Sequence, residues 1–246
     1  VTSIGESAFK GCTVLTDIGH PKGVSNVGPS AFEGCFALTS ITLSEGLTRI
    51  ENAAFKFCDG LTSIKIPDGV TSIGEEAFAY CDGMTSVTLP EGITSIEAEA
   101  FRFCSALTNI TIPEGVTDIG DYAFGSCANL VSITLPQEVK SIGKGAFWFC
   151  SNLTSITIPK GITNIEEDTF LYCESLTSIT IPEGVTSIGE SAFDSCKGLI
   201  SITLPEDVTS IGRQAFHFCE SLRSIRIPDR VTSIEDNTFY ACKDLT

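Results

Sequence analysis

The fold is decided by Val70-Thr71-Ser72-Ile73-Gly74-Glu75-Glu76-Ala77-Phe78-Ala79-Tyr80-Cys81-Asp82-Gly83-Met84-Thr85-Ser86-Val87-Thr88-Leu89-Pro90-Glu91-Gly92, after which the same pattern restarts at Ile93 without insertion or deletion. Repetition at a short fixed period marks an architecture in which each unit cannot bury its apolar face alone and must stack on its neighbours. Counting from Val1, phenylalanine fills the ninth place of each unit from Phe9 and Phe32 to Phe216 and Phe239, and cysteine fills the twelfth from Cys12 and Cys35 to Cys219 and Cys242. The 246 residues divide into ten units of 23 and a partial eleventh of 16. No linker interrupts them, so residues 1–246 read as a single solenoid. The polar terminal caps that stacked repeats require are absent from the pattern, which reads as a fragment or processed piece.

Within a unit, Leu61, Ile64 and Ile66 alternate at their end with outward Ser63 and Lys65, the signature of a half-buried strand. Pro67 and its equivalents end that strand, and the following glycines (Gly69, Gly92, Gly115, Gly161, Gly184) are expected to take the positive φ of a tight turn. Val70 to Ile73 forms a second short extended segment. Ala77-Phe78-x-x-Cys81 then has the spacing of one helical turn, too short for more than a 3₁₀ or single α turn. Each rung therefore comprises a parallel strand, a short extended segment and a single helical turn. Eight places per rung point inward, represented by Val70, Ile73, Ala77, Phe78, Cys81, Met84, Val87 and Leu89. Stacked at roughly 4.8 Å per rung, the units make a rod or shallow arc on the order of 50 Å long. In the first unit, Gly19 and His20 replace strand residues, and that rung is expected to be loose.

Composition narrows the function. With 42% apolar and 19% charged residues the chain is a folded protein. Fifteen basic against thirty-one acidic side chains give a net charge of -16, which repels nucleic acid and anionic membrane surfaces. No apolar run is long enough to span a bilayer, so membrane insertion is not expected.

The pattern Leu-x-x-Ile-x-Ile-Pro-x-Gly-Val-Thr-Ser-Ile-Gly-x-x-Ala-Phe-x-x-Cys resembles the BspA-type leucine-rich repeat over essentially the whole chain. The resemblance implies a strand-lined solenoid face and a cell-surface adhesin that contacts extracellular-matrix proteins or other cells, with no catalytic residues. Glycine stands where leucine-rich repeats in general carry asparagine or cysteine, so no asparagine ladder ties the turns and their curvature cannot be borrowed.

Eleven cysteines on one line point their side chains in parallel, which suits neither a tetrahedral metal centre nor a disulfide, so free buried packing thiols are expected. His20 and His217 stand more than eight rungs apart and cannot share a Ser-His-Asp or Cys-His site. Glu75-Glu76 and Glu166-Glu167-Asp168 lack the spacing of a calcium loop and read as a solvated acidic edge. No cofactor, metal or enzymatic activity is expected.

Two surfaces remain as candidates. The outward strand face carries Ser63, Ser86, Thr88, Asn109, Thr111, Ser132, Thr134, Ser155, Thr157, Ser178, Thr180, Ser201 and Thr203, interrupted by Lys65, Arg223 and Arg226. Cross-strand hydroxyl and β-branched pairing would explain it structurally, and a flat binding face for an extracellular protein or glycan would explain it functionally. The aromatic edge carries Phe57, Tyr80, Phe103, Trp148, Phe149, Tyr172 and Phe218, with Tyr240 beside them. These rings either shield the turn edge or form an exposed contact row. End-to-end self-association through uncapped rungs is the alternative function, and an ice- or mineral-binding Thr plane a remote third. Asn109-Ile-Thr111 and Asn152-Leu-Thr154 match the glycosylation sequon, a match that a Thr-rich repeat produces by chance.

Overall fold

The computed structural model describes residues 1–19 and 23–246. His20 lies outside the described residues. The chain winds into a parallel β-solenoid whose successive turns are 23 residues apart, with two ladders of short strands. The first ladder holds Ser63–Lys65, Ser86–Thr88, Asn109–Thr111, Ser132–Thr134, Ser155–Ile156, Ser178–Thr180 and Ser201–Thr203. The second runs in two-residue strands from Ser3–Ile4 through Ser72–Ile73 and Asp118–Ile119 to Ser210–Ile211. Pairing is in register, Ser132 lying opposite both Asn109 and Ser155, and Ile188 opposite both Ile165 and Ile211. The strands are shorter than the alternating pattern suggests. Leu61 and its equivalents spend their N–H on a turn, Leu61 to the Cys58 carbonyl at 2.9 Å, before the ladder begins.

The eight inward places are all buried in the central rungs: Val70, Ile73, Ala77, Phe78, Cys81 and Met84 are fully covered, and Val87 and Leu89 nearly so. Pro67 and Pro90 are buried as well, so proline both ends the strand and closes the core beside it. Phenylalanine rings stack from Phe9 to Phe239, with centroids 5.2 Å apart for Phe9–Phe32 and 5.8 Å for Phe124–Phe147 at interplanar angles of 3° and 7°. Offset stacking at this spacing adds to the area each ring buries.

The expected helical turn is replaced by a different device. Ala77, Ala79 and Cys81 donate backward to the carbonyls of Gly74, Glu76 and Phe78 at 3.2, 3.0 and 3.3 Å, a chain of tight turns. The residues between them, Glu76, Phe78 and Tyr80, donate sideways to Ala98, Ala100 and Arg102 of the next rung at 3.0, 2.9 and 2.7 Å. A helix would point all these N–H groups along one axis. Here the backbone reverses hand at Glu76 (φ 54°) and Tyr80 (φ 60°), and the same two places are left-handed in every rung. Left-handed backbone costs a non-glycine residue on the order of 1 kcal/mol, and the lateral bonds each return a similar amount. The turn edge thus becomes a third hydrogen-bonded ladder.

The glycine expectation needs correction. Gly184 is left-handed (φ 90°), but Gly69, Gly92, Gly115 and Gly161 are not. Gly69 and Gly161 are small for reasons of space: a Cβ on Gly161 would lie 3.1 Å from the Val139 carbonyl oxygen of the preceding rung, and one on Gly69 would lie 3.2 Å from that of Leu47, whereas one on Gly92 or Gly115 would meet nothing nearer than 3.4 Å. Gly19 is left-handed, its N–H held by the Asp17 carboxylate at 2.8 Å.

Candidate interaction surfaces

The first ladder presents Ser86, Asn109, Ser132 and Ser155 in one exposed column and Thr88, Thr111, Thr134 and Thr157 in a second, both outside the buried Val87, Ile110, Ile133 and Ile156. A neighbouring column differs in kind. Thr85 and Thr154 donate their hydroxyls to the backbone carbonyls of Thr62 and Val131 one rung back, at 3.1 and 3.2 Å, and so reinforce the ladder. Among the described residues the serine and threonine hydroxyls of the two outward columns make no hydrogen bond to protein, and Asn109 reaches only Thr108 at 3.3 Å. Cross-strand hydroxyl bonding therefore does not account for them. Lys65 and Arg223 form no ion pair among the described residues, whereas Arg226 meets Glu206 at 3.0 Å, both well exposed.

The aromatic edge is not a uniform row. Phe57, Tyr80 and Phe103 are half-buried and stack at 4.5 Å per step. Lys56 lies 5.4 Å from the Phe57 centroid, and the Arg102 guanidinium lies 5.1, 5.0 and 5.6 Å from Phe103, Tyr122 and Trp148. Trp148 is half-buried and stands edge-on to Phe103. Phe149 and Tyr172 are 42% and 37% exposed, Tyr240 is exposed, and Phe218 is half-buried. Phe57, Tyr80 and Phe103 are thus partly covered, while Phe149 and Tyr172 face solvent.

Two arrangements escape a residue-by-residue reading. The first is a groove of about 680 Å³ across four rungs along the second ladder, lined by Glu97, Asp118, Asp121 and Glu166 against Lys144. Asp118 accepts hydrogen bonds from Ser141 and Thr117 at 2.6 Å each, which hold its carboxyl below the ordinary range. Acidic side chains recurring at neighbouring places of successive units were the signal for it. No group of three His, Cys, Asp or Glu side chains among the described residues is placed to hold a metal ion. The second is a cluster around Asp194, which accepts from Ser195 Oγ at 2.8 Å and lies 3.1 Å from His217 Nδ1. Serine and imidazole both engage the carboxylate. The hydroxyl is therefore not on the base, as nucleophilic catalysis requires.

The cysteine column is free and buried from Cys35 to Cys219, with Cys12 exposed and Cys242 half-covered. Each thiol from Cys35 to Cys242 bonds the phenylalanine carbonyl of the preceding rung, as Cys104 does to Phe78 at 3.2 Å. Burial pushes these thiols well above their ordinary pKa.

Repeated outward columns on parallel ladders over a single apolar core define a β-solenoid of the leucine-rich-repeat class. The chain matches the BspA type leucine rich repeat region in six copies, spanning residues 1–104, 71–200 and 163–246, and it belongs to that family. It is similar to a leucine-rich repeat protein from Bacteroides ovatus, with 31% identity over 99% of this chain and 81% of the other at a TM-score of 0.57. A leucine-rich cell surface protein from Faecalibacterium prausnitzii shares 32% identity over 96% of this chain and 78% of its own, with a TM-score of 0.55. The leucine-rich repeat protein of Treponema pallidum shares 31% over 72% of each chain, with a TM-score of 0.53. No curated protein matches the chain.

Proposed function

We propose that this chain is a non-catalytic adhesion and interaction module, working outside the cell or on its surface, that binds a protein or glycan partner through the hydroxyl face of the first ladder. The observation that carries this reading is the difference between adjacent columns. Thr85 and Thr154 use their hydroxyls on the backbone, while Ser86, Thr88, Thr111, Ser132, Thr134, Ser155 and Thr157 of the two outward columns hold theirs outward with no protein partner among the described residues. A rigid array of free hydroxyls at a regular spacing suits hydrogen bonding to a polar, extended partner. Lys65, Arg223 and Arg226 at its ends break the repetition and give the face direction. A surface location is supported by the cell surface protein among its relatives. No helix among the described residues is long and apolar enough to cross a membrane.

The test is a panel of immobilised extracellular-matrix proteins and glycans, read by surface plasmon resonance. A triple variant, Thr111→Val, Thr134→Val and Thr157→Val, which removes the hydroxyls but keeps the β-branched shape, should lose whatever binding the parent shows while keeping its melting temperature within a few degrees. Binding that survives this variant would place the contact surface elsewhere.

A further inference from the structure

The residue two places beyond each core phenylalanine carries an aromatic ring in Phe57, Tyr80, Phe103, Phe149, Tyr172 and Phe218, but is serine at Ser126 and Ser195. Each serine opens a gap between the rings above and below it. At roughly 4.8 Å per rung the walls of such a gap stand about 9.6 Å apart, two stacking distances. The spacing therefore admits one more ring.

The gap over Ser126 is closed from within. The Trp148 indole, projecting from the next rung, stands edge-on to Phe103 at 6.1 Å and to Tyr122 at 6.2 Å and packs on Phe149 at 5.7 Å, and Ser126 is buried beneath it. The gap over Ser195 has the same backbone: φ is 58° against 59° at Ser126, and the Ser195 N–H donates to the His217 carbonyl as that of Ser126 donates to Trp148. His217 thus holds the place of Trp148, but its smaller ring turns to Asp194 and packs on Phe218 at 4.3 Å and Tyr240 at 5.2 Å. Among the described residues it makes no ring contact with Tyr172. A cavity of about 310 Å³ is left between Tyr172 and Phe218, with Ser195 at its base and Asp194, Lys197, His217 and Glu220 along it.

We propose that this slot is a binding site for one planar aromatic ring bearing an N–H donor, as presented by a tryptophan side chain of a partner polypeptide. The occupant would stand where Trp148 stands over Ser126. Tyr172 and Phe218 supply aromatic walls. Lys197 is drawn to Glu174 at 2.7 Å and Glu220 to Lys243 at 2.9 Å, while Asp194, held by Ser195 and His217, keeps acceptor capacity for a donor in the slot. The site lies on the turn edge and stands independently of the strand-face reading.

The probe is 5-fluoroindole, titrated against the full chain and followed by ¹⁹F NMR, which is blind to the native Trp148. Saturable binding is expected in the parent and in Lys160→Ala. It should weaken by about tenfold or more in His217→Trp, which closes the slot as Trp148 does, and in Ser195→Phe, which restores the column ring. Should Ser195→Phe fail to fold by circular dichroism, His217→Trp decides alone, because tryptophan already occupies the equivalent place at Trp148. Absence of saturable binding in the parent, or equal affinity in the folded variants, overturns the proposal.

Discussion

Phe124 is fully buried, with Phe101 at 5.7 Å and Phe147 at 5.8 Å on its two faces. Phe124→Ala should therefore cost about 3–5 kcal/mol. Because each rung touches chiefly its neighbours, hydrogen exchange should quicken around residues 101–147 and stay slow near Phe32 and Phe216. Exchange that quickens uniformly along the chain would contradict this. The cysteines behave as residues of the same core. In denaturant without reductant all eleven should react with a thiol reagent, while in the native protein Cys12 should react quickly, Cys242 slowly and the buried nine hardly at all. The burial of these columns was legible in the sequence because phenylalanine and cysteine recur without exception. The thiol bond to the preceding phenylalanine carbonyl was not, since it depends on where that carbonyl points.

At the scale of the element, the strand and its proline stop were legible, while the turn edge misled. Ala77-Phe78-x-x-Cys81 has one spacing in a helical turn and in a chain of tight turns, and the two differ in the hand of the backbone at Glu76 and Tyr80. Neither residue is glycine or asparagine, so neither announces a positive φ. Gly145 gives a test, because it is the glycine at the left-handed place that other rungs give to Glu76 or Asp168. Its reason is local: an added Cβ would collide with the Tyr122 ring. Gly145→Ala should destabilise by about 1–3 kcal/mol, and Tyr122→Ala in the same chain should recover part of that loss, as a thermal or urea double-mutant cycle would measure. Additive losses would show that backbone strain, not the ring, governs the site. The gap over Ser195 belongs to this scale too. The missing ring can be read by aligning units, but its vacancy cannot, because the similar gap over Ser126 is filled by a residue from the following unit.

Over the whole molecule, the thiol column couples stability to alkaline pH. From Cys35 to Cys219 the folded chain raises each thiol's pKa, first through burial and then, for most of them, through neighbouring thiols, while the unfolded thiols ionise near pH 8.5. As pH rises through that value the unfolded state binds fewer protons than the folded state, so stability falls, and it is intact only well below it. One fully buried thiol contributes a slope of about 1.4 kcal/mol per pH unit. Nine acting together reach on the order of 10 kcal/mol per pH unit, enough to unfold a chain of ordinary stability within about one unit. Urea midpoints should therefore hold between about pH 6 and 7, begin to fall by about pH 8 and drop steeply from there to about pH 9. Carboxylates are already ionised in that range, and the loss of lysine charge would add repulsion of its own, so the double variant Cys104→Ala, Cys127→Ala separates the causes. It should start less stable at neutral pH yet lose stability more slowly, by about 2.8 kcal/mol per pH unit. An unchanged alkaline slope would assign the loss to net charge rather than to the sulfur column.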